Sequence, residues 1–226
     1  MADERDPSSL LPTRRGLLSG LASVAALATL GVPFRLDGGT LVIPNSEGFL
    51  LVDLKKCQGC GTCMMACALA HTGVASNSLA RIQIVQDSFL DFPNDIFVAA
   101  CRQCENAPCV AVCPTGANHA EPKFGNARMV DAEKCIGCKL CMARCPYTPA
   151  RLQWNAPARK SQKCDLCADT PFLGEKGGPG GTQTCVKVCP MNAIAFTAKM
   201  PDQSKESSYE ANLRGGAWRR LGMTTE

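Results

Sequence analysis

The chain has 226 residues, 24 Lys and Arg against 20 Asp and Glu for a formal net charge of +4, and 16 cysteines. An aromatic content of 5% beside 20 Gly and 15 Pro describes a loop-rich body that needs covalent or metal crosslinks rather than a large apolar core. Only one uncharged apolar stretch, Gly16 to Phe34, approaches bilayer-spanning length, which excludes a multi-span membrane protein; the basic residues are dispersed, not gathered in the stripe a nucleic-acid surface needs.

Residues 13–19 read Thr-Arg-Arg-Gly-Leu-Leu-Ser, and the Ala- and Leu-rich run that follows resembles a twin-arginine export signal. Residues 1–34 are therefore read as a leader and 35–47 as a linker. Ala26-Leu27-Ala28 fits a small-residue cleavage site but sits early in the apolar run, so an uncleaved membrane anchor stays open beside the cleaved signal. Export predicts a periplasmic location. Cysteines in an exported chain normally form disulfides, whereas metal sites assembled in the cytoplasm and exported already folded keep their thiolates shielded.

Downstream, β-prone pieces at 49–53, 81–85, 96–98, 127–130, 151–154 and 193–197 alternate with cysteine groups. The first group is Cys57, Cys60, Cys63 and Cys67, and the third is Cys135, Cys138, Cys141 and Cys145, both C-x2-C-x2-C-x3-C. The second is Cys101, Cys104, Cys109 and Cys113, and the fourth is Cys164, Cys167, Cys185 and Cys189, whose long middle spacing holds a glycine-rich stretch. All sixteen cysteines fall in these groups, and every group but the first closes with Cys-Pro.

Three closely spaced thiolates on a looped backbone suit three corners of an iron-sulfur cubane. The fourth, predicted to lie on the following helix, serves the neighbouring cluster in two-cluster ferredoxins. Structural zinc takes C-x2-C knuckles in pairs and does not call for the third and fourth cysteines four times over. A disulfide framework fits an even count in an exported chain, but C-x2-C within a tight loop gives poor geometry for long-range bridges. An oxidised cubane with its four thiolates carries on the order of −2, so four would turn the formal +4 into roughly −4. Lys55, Lys56, Lys134, Lys139 and Lys163 stand beside the groups and would partly offset that charge, unless they are solvated surface lysines.

Residues 171–184 lack the Walker spacing and read as a flexible insertion. Residues 199–226 read as a C-terminal arm that packs on another subunit. His71 and His119 belong to no hydrolase motif and are expected at the surface or beside a ligand, and Met64, Met65, Met142 and Met191 as dry filler around the clusters. No catalytic site is expected.

The run Cys101-Arg-Gln-Cys104-Glu-Asn-Ala-Pro-Cys109-Val-Ala-Val-Cys113-Pro-Thr-Gly-Ala117, with Lys134-Cys135-Ile-Gly-Cys138-Lys-Leu-Cys141-Met-Ala-Arg-Cys145-Pro-Tyr147, resembles the four-cluster electron-transfer subunit of molybdenum and tungsten oxidoreductases related to dimethyl sulfoxide reductase. The resemblance covers about residues 48–198, and the module is also similar to polyferredoxin subunits of tungsten aldehyde oxidoreductases. It implies an α+β fold of two ferredoxin-like double-cluster units and four [4Fe-4S] clusters. Carried over residue by residue, cluster 1 takes Cys57, Cys60, Cys63 and Cys189, and cluster 2 takes Cys67, Cys164, Cys167 and Cys185. Cluster 3 takes Cys101, Cys104, Cys109 and Cys145, and cluster 4 takes Cys113, Cys135, Cys138 and Cys141. The implied partners are a catalytic subunit with a molybdopterin-type Mo or W cofactor and a quinone-reactive membrane subunit or soluble carrier. The alternative is a free-standing polyferredoxin.

Overall fold

A computed structural model describes residues 35–37 and 40–220. The twin-arginine leader and the last six residues of the arm lie outside the described residues. β1 (Arg35–Asp37) and β2 (Thr40–Val42), in the stretch expected as a linker, pair as an antiparallel hairpin. They belong to a unit that ends at Ile43, separate from the unit that begins at Pro44.

From Pro44 onward one pattern repeats four times: a strand, a cysteine-bearing loop, a short helix and a second strand. β3 (Phe49–Val52) leads through the first group to α1 (Thr62–Thr72) and β4 (Gln83–Gln86). β5 (Ile96–Ala99) leads through the second to α2 (Pro108–Ala111) and β6 (Asn118–Glu121). β7 (Ala127–Val130) leads to α3 (Leu140–Ala143) and β8 (Leu152–Asn155), and β9 (Lys160–Lys163) to α4 (Thr184–Val188) and β10 (Ile194–Thr197). The described chain ends in a 3-10 turn at Glu206–Tyr209 and α5 (Gly216–Arg220).

Each strand leaving one group pairs antiparallel with the strand entering the next: β4 with β5, β6 with β7, β8 with β9. β10 returns to pair with β3, Ile194 opposite Val52 and Thr197 opposite Phe49, closing the circuit. α1 packs on α4 and α2 on α3, so groups one and four share one half and groups two and three the other. The fold is α+β.

The core is correspondingly modest. Phe49, Ile82, Ala68, Ala127 and Leu166 are buried, as are Cys63, Cys67, Cys101, Cys164 and Cys185. β6 and β9 were not among the predicted strands, because Asn-His-Ala-Glu and Lys-Ser-Gln-Lys carry no β-prone alternation. Pairing and burial hold them extended instead; Ser161, Gln162 and Lys163 are all buried.

Candidate metal centres

The residue two places after the first cysteine has positive φ in every group: Gly59 at 65°, Gln103 at 52°, Gly137 at 73° and Leu166 at 60°. Glycine adopts this at no steric cost. Gln103 and Leu166 do not, and both are fully buried, so surrounding structure holds them there. Gln103 shows how: its side chain accepts from the Arg128 amide at 2.7 Å and donates to the Cys164 carbonyl at 2.9 Å. The shared kink curls each loop so that its thiols turn toward one another.

The helix after each loop carries the third cysteine: Cys63 on α1, Cys109 on α2, Cys141 on α3, Cys185 on α4. The fourth is not on the helix as predicted, except for Cys67. Proline after Cys113, Cys145 and Cys189 disfavours helical geometry at the cysteine, and Cys189 caps α4 in an extended conformation with φ −67° and ψ 111°. Cys67 is followed by Ala68, and α1 runs on to Thr72, closed at both ends by left-handed Gly61 and Gly73.

The fourth cysteines share another feature that spacing did not reveal. Each accepts a backbone N–H from a residue at or just before the next strand: Cys67 from Arg81 at 3.4 Å, Cys113 from Asn118 at 3.3 Å, Cys145 from Arg151 at 3.3 Å and Cys189 from Ala193 at 3.2 Å. Amide donors of this kind stabilise thiolate charge and tune a bound cluster.

Thiols from different groups lie beside one another. Burial pushes Cys63 up to about 12, and nearby Cys57, Cys189 and Cys60 add to the rise. Burial likewise holds Cys164 and Cys185 well above the usual thiol range, with Cys67 and Cys167 beside both. Cys101 is raised to about 12 by burial, against an opposing Lys163, with Cys109 and Cys104 adjacent; Cys104 in turn has Cys109 and Cys145 as neighbours. Cys113, Cys135, Cys138 and Cys141 line one shallow pocket that is partly open to solvent. Burial opposes ionisation of Cys113, but the Asn118 amide and Thr115 hydroxyl overcome it and hold that thiol below its ordinary value.

Closer links join these neighbourhoods. Cys63 lies near Cys185, the Gln103 side chain reaches the Cys164 carbonyl, and Cys109 neighbours Cys141. Cys60 and Cys138 are exposed, whereas Cys67, Cys164, Cys167 and Cys185 are all buried.

The residues around the thiols sort unevenly. Lys56 and Lys163 are buried, whereas Lys55, Lys134 and Lys139 are exposed. His71 is buried beside Cys67: Nδ1 lies 2.8 Å from the Cys67 carbonyl and 3.7 Å from Sγ, and Nε2 is 3.0 Å from Asp165 Oδ1. Arg81 Nη1 completes the cluster at 2.6 Å from Asp165 Oδ2. Burial works against the Asp165 charge, yet Arg81 and His71 bring its carboxyl down to about 2. His119 is only part-buried, 3.4 Å from Glu121. Met64 is buried and its Sδ receives the Ile84 amide at 3.2 Å, but Met65 is exposed and fills no core. Trp154 lies under the Lys139 ammonium, 4.1 Å from the ring centre.

The glycine-rich stretch is not the loose insertion that composition suggests. The Phe172 amide donates to the Ala70 carbonyl at 3.1 Å and the Gly178 amide to the Leu166 carbonyl at 3.0 Å, while Gln183 Nε2 ties back to Gly178 at 2.7 Å. The C-terminal arm also returns to its own body: the Tyr209 hydroxyl donates to the Arg102 carbonyl at 2.8 Å, and the Leu213 amide to Asp53 at 2.8 Å.

All sixteen cysteines are free of disulfides. Among the described residues no three His, Cys, Asp or Glu side chains converge closely enough for a single ion; a tetrahedral zinc site needs each sulfur about 2.3 Å from the metal. Soft thiol donors spread around amide-lined, largely dry loops fit a polynuclear iron-sulfur group instead.

Family comparison agrees with that chemistry. A 4Fe-4S dicluster domain matches residues 93–199 and a 4Fe-4S binding domain matches residues 54–72. The NrfC homolog of Haemophilus influenzae is 32% identical over 191 residues, 81% of this chain and 79% of its own. A sulfite dehydrogenase subunit from Allochromatium vinosum is 34% identical over 74% of this chain and 75% of its own. The thiosulfate reductase electron transfer subunit PhsB of Salmonella typhi is 36% identical over 67% and 76% respectively. The chain belongs to the 4Fe-4S ferredoxin-like electron-transfer subunits. Among the described residues no helix is long and apolar enough to cross a membrane.

Proposed function

We propose that the chain holds four [4Fe-4S] clusters and relays single electrons between a molybdenum- or tungsten-cofactor catalytic subunit and a quinone-reactive membrane subunit or soluble carrier, after folded export to the periplasm. The ligands would be the four sets carried over from the resemblance, with Cys67, Cys113, Cys145 and Cys189 each exchanged into the cluster of the facing group. Bound clusters supply the one-electron chemistry.

The chain's own residues do the rest. Buried Cys63, Cys101 and Cys167, raised to about 12, 12 and 11 as free thiols, lose their protons to solvent when a metal takes the thiolate, so loading and folding are coupled. Amides from Arg81, Asn118, Arg151 and Ala193 donate to the exchanged cysteines. The approach of Cys63 to Cys185, of Gln103 to the Cys164 carbonyl and of Cys109 to Cys141 supports an ordered succession of clusters, and exposed Cys60 and Cys138 would be the ends that partners approach.

The observation that carries this reading is the juxtaposition of free cysteines from facing groups across a closed strand circuit. Anaerobic purification with metal analysis and low-temperature electron paramagnetic resonance tests it. About sixteen irons per chain with four reducible centres are expected; zinc, cystine or half that iron overturns the cluster count. A co-purifying large subunit containing molybdenum or tungsten supports the fixed partner. The arm bonded back to its own body favours the second reading, a free-standing carrier, which a monomeric chain in size-exclusion chromatography would establish.

A further inference from the structure

The strand β9 ends in a lysine that is 1% exposed. Its Nζ donates to Asn118 Oδ1 at 2.5 Å and lies 3.9 Å from Cys109 Sγ. No carboxylate among the described residues pairs with it. A buried ammonium without a counter-charge is strongly disfavoured, so something in the finished protein must balance Lys163. The groups it faces are thiols: Cys109 directly, with Cys101, Cys104 and Cys141 in its neighbourhood.

Two comparisons within the chain isolate this residue. Lys56 occupies the equivalent position, immediately before the first cysteine of its group, and is also buried, but it is satisfied by the carbonyls of Asn192 at 3.1 Å and Leu213 at 3.0 Å. Lys134 likewise precedes a first cysteine, but it is exposed and pairs with Asp131 at 3.0 Å. Of the three, only Lys163 turns its ammonium on sulfur; the bonds of Lys56 go to backbone carbonyls and that of Lys134 to a carboxylate. Asn118 fixes it there: the same side chain donates to the Cys109 carbonyl at 2.9 Å, and its amide donates to Cys113 Sγ.

Building on the four-cluster reading, we propose that Lys163 is a potential-setting residue, whose buried ammonium raises the reduction potential of the cluster on Cys101, Cys104, Cys109 and Cys145. Adding an electron to that cluster adds negative charge beside a fixed positive one, in surroundings too dry to screen it. The cluster on Cys113, Cys135, Cys138 and Cys141 feels the same charge more weakly, through Cys141. Cys164, a ligand of a third cluster, follows Lys163 directly in the chain, but the ammonium is turned toward Asn118 and Cys109. Lys163 thereby biases the relay toward holding the electron in the half built by groups two and three.

The test is a redox titration of the anaerobically purified holo chain followed by electron paramagnetic resonance, with iron quantified in parallel. Lys163→Met should keep the iron of the wild type and lower one midpoint potential, the equilibrium constant for that one-electron reduction falling at least tenfold, which is 59 mV. Cys145→Ser assigns the shifted signal by removing or converting it. Lys163→Arg, which keeps the charge, should stay near the wild-type potential, and Lys134→Met should leave all potentials unmoved. Unchanged potentials in Lys163→Met, or an equal shift in Lys134→Met, overturn the inference while leaving the four-cluster reading intact. Loss of iron in both Lys163→Met and Lys163→Arg assigns the residue to packing and overturns it too. A wild-type chain without iron sinks the functional reading itself.

Discussion

At the residue scale, the most consequential interactions are those between a sulfur and a group distant in sequence. Cysteine spacing is legible because tight loops constrain it locally. The amides of Arg81, Asn118, Arg151 and Ala193 that reach the fourth cysteines are not, since they come from 4 to 14 residues downstream with no fixed side chain. The Asp165 cluster is equally hidden, because an Asp between two cysteines carries no sign that Arg81 and His71 will converge on it. Asp165 is 1% exposed, so Asp165→Ala strands a buried imidazole and a part-buried guanidinium. Breaking a buried pair in this way costs about 3–5 kcal/mol. The expected result is a lower urea midpoint for bleaching of the holo chain's visible absorbance, and an unchanged midpoint would show the network to be dispensable. Cys138→Ser bears on a different question. Cys138 is exposed and lines the pocket with Cys113, Cys135 and Cys141, so its loss should lower iron content by one iron or one whole cluster without unfolding the rest. Metal analysis reads the outcome directly, and full wild-type iron would remove Cys138 from the ligand set.

At the scale of elements, β-branched or apolar residues mark six strands in the sequence, and all six have counterparts in β3, β4, β5, β7, β8 and β10. β6 and β9 escape notice, because their residues become extended through pairing rather than preference. The glycine-rich stretch reads as flexible on composition, where the controlling fact is close approach. A Cβ on Gly177 would stand 1.7 Å from the Cys167 carbonyl oxygen, but one on Gly180 would meet nothing within 4 Å. Gly177 is therefore small because the loop presses against the backbone of a cysteine in the fourth group. Gly177→Ala should displace that backbone, slow iron incorporation and lower the thermal midpoint. Gly180→Ala should fall within about 0.5 kcal/mol of wild type, as exposed substitutions usually do. Equal behaviour of the two variants, read by thermal bleaching, would mean that the insertion is as loose as its composition implies.

At the scale of the whole molecule, the strand circuit and the helix packing impose complementary connections. Strand pairs join each group to the next, β4 to β5 and onward, with β10 returning to β3. Helix packing instead joins group one to four and group two to three, the same groups that the proposed exchange of fourth cysteines would link. The small strands alone are a weak scaffold, since isolated two-stranded ribbons are marginal in water, and much of the buried core consists of cysteine side chains themselves. Removing iron would leave Cys63, Cys101, Cys164 and Cys185 buried as protonated thiols around voids, with little to tie group one to group four or group two to group three. Folding should then be lost with the metal rather than after it. Anaerobic treatment with an iron chelator, followed simultaneously by visible absorbance and far-ultraviolet circular dichroism, should give coincident transitions. A chain that bleaches completely while keeping its dichroism would show that the strand circuit stands without clusters, and would place the stability in the polypeptide instead of in its sulfur ligands.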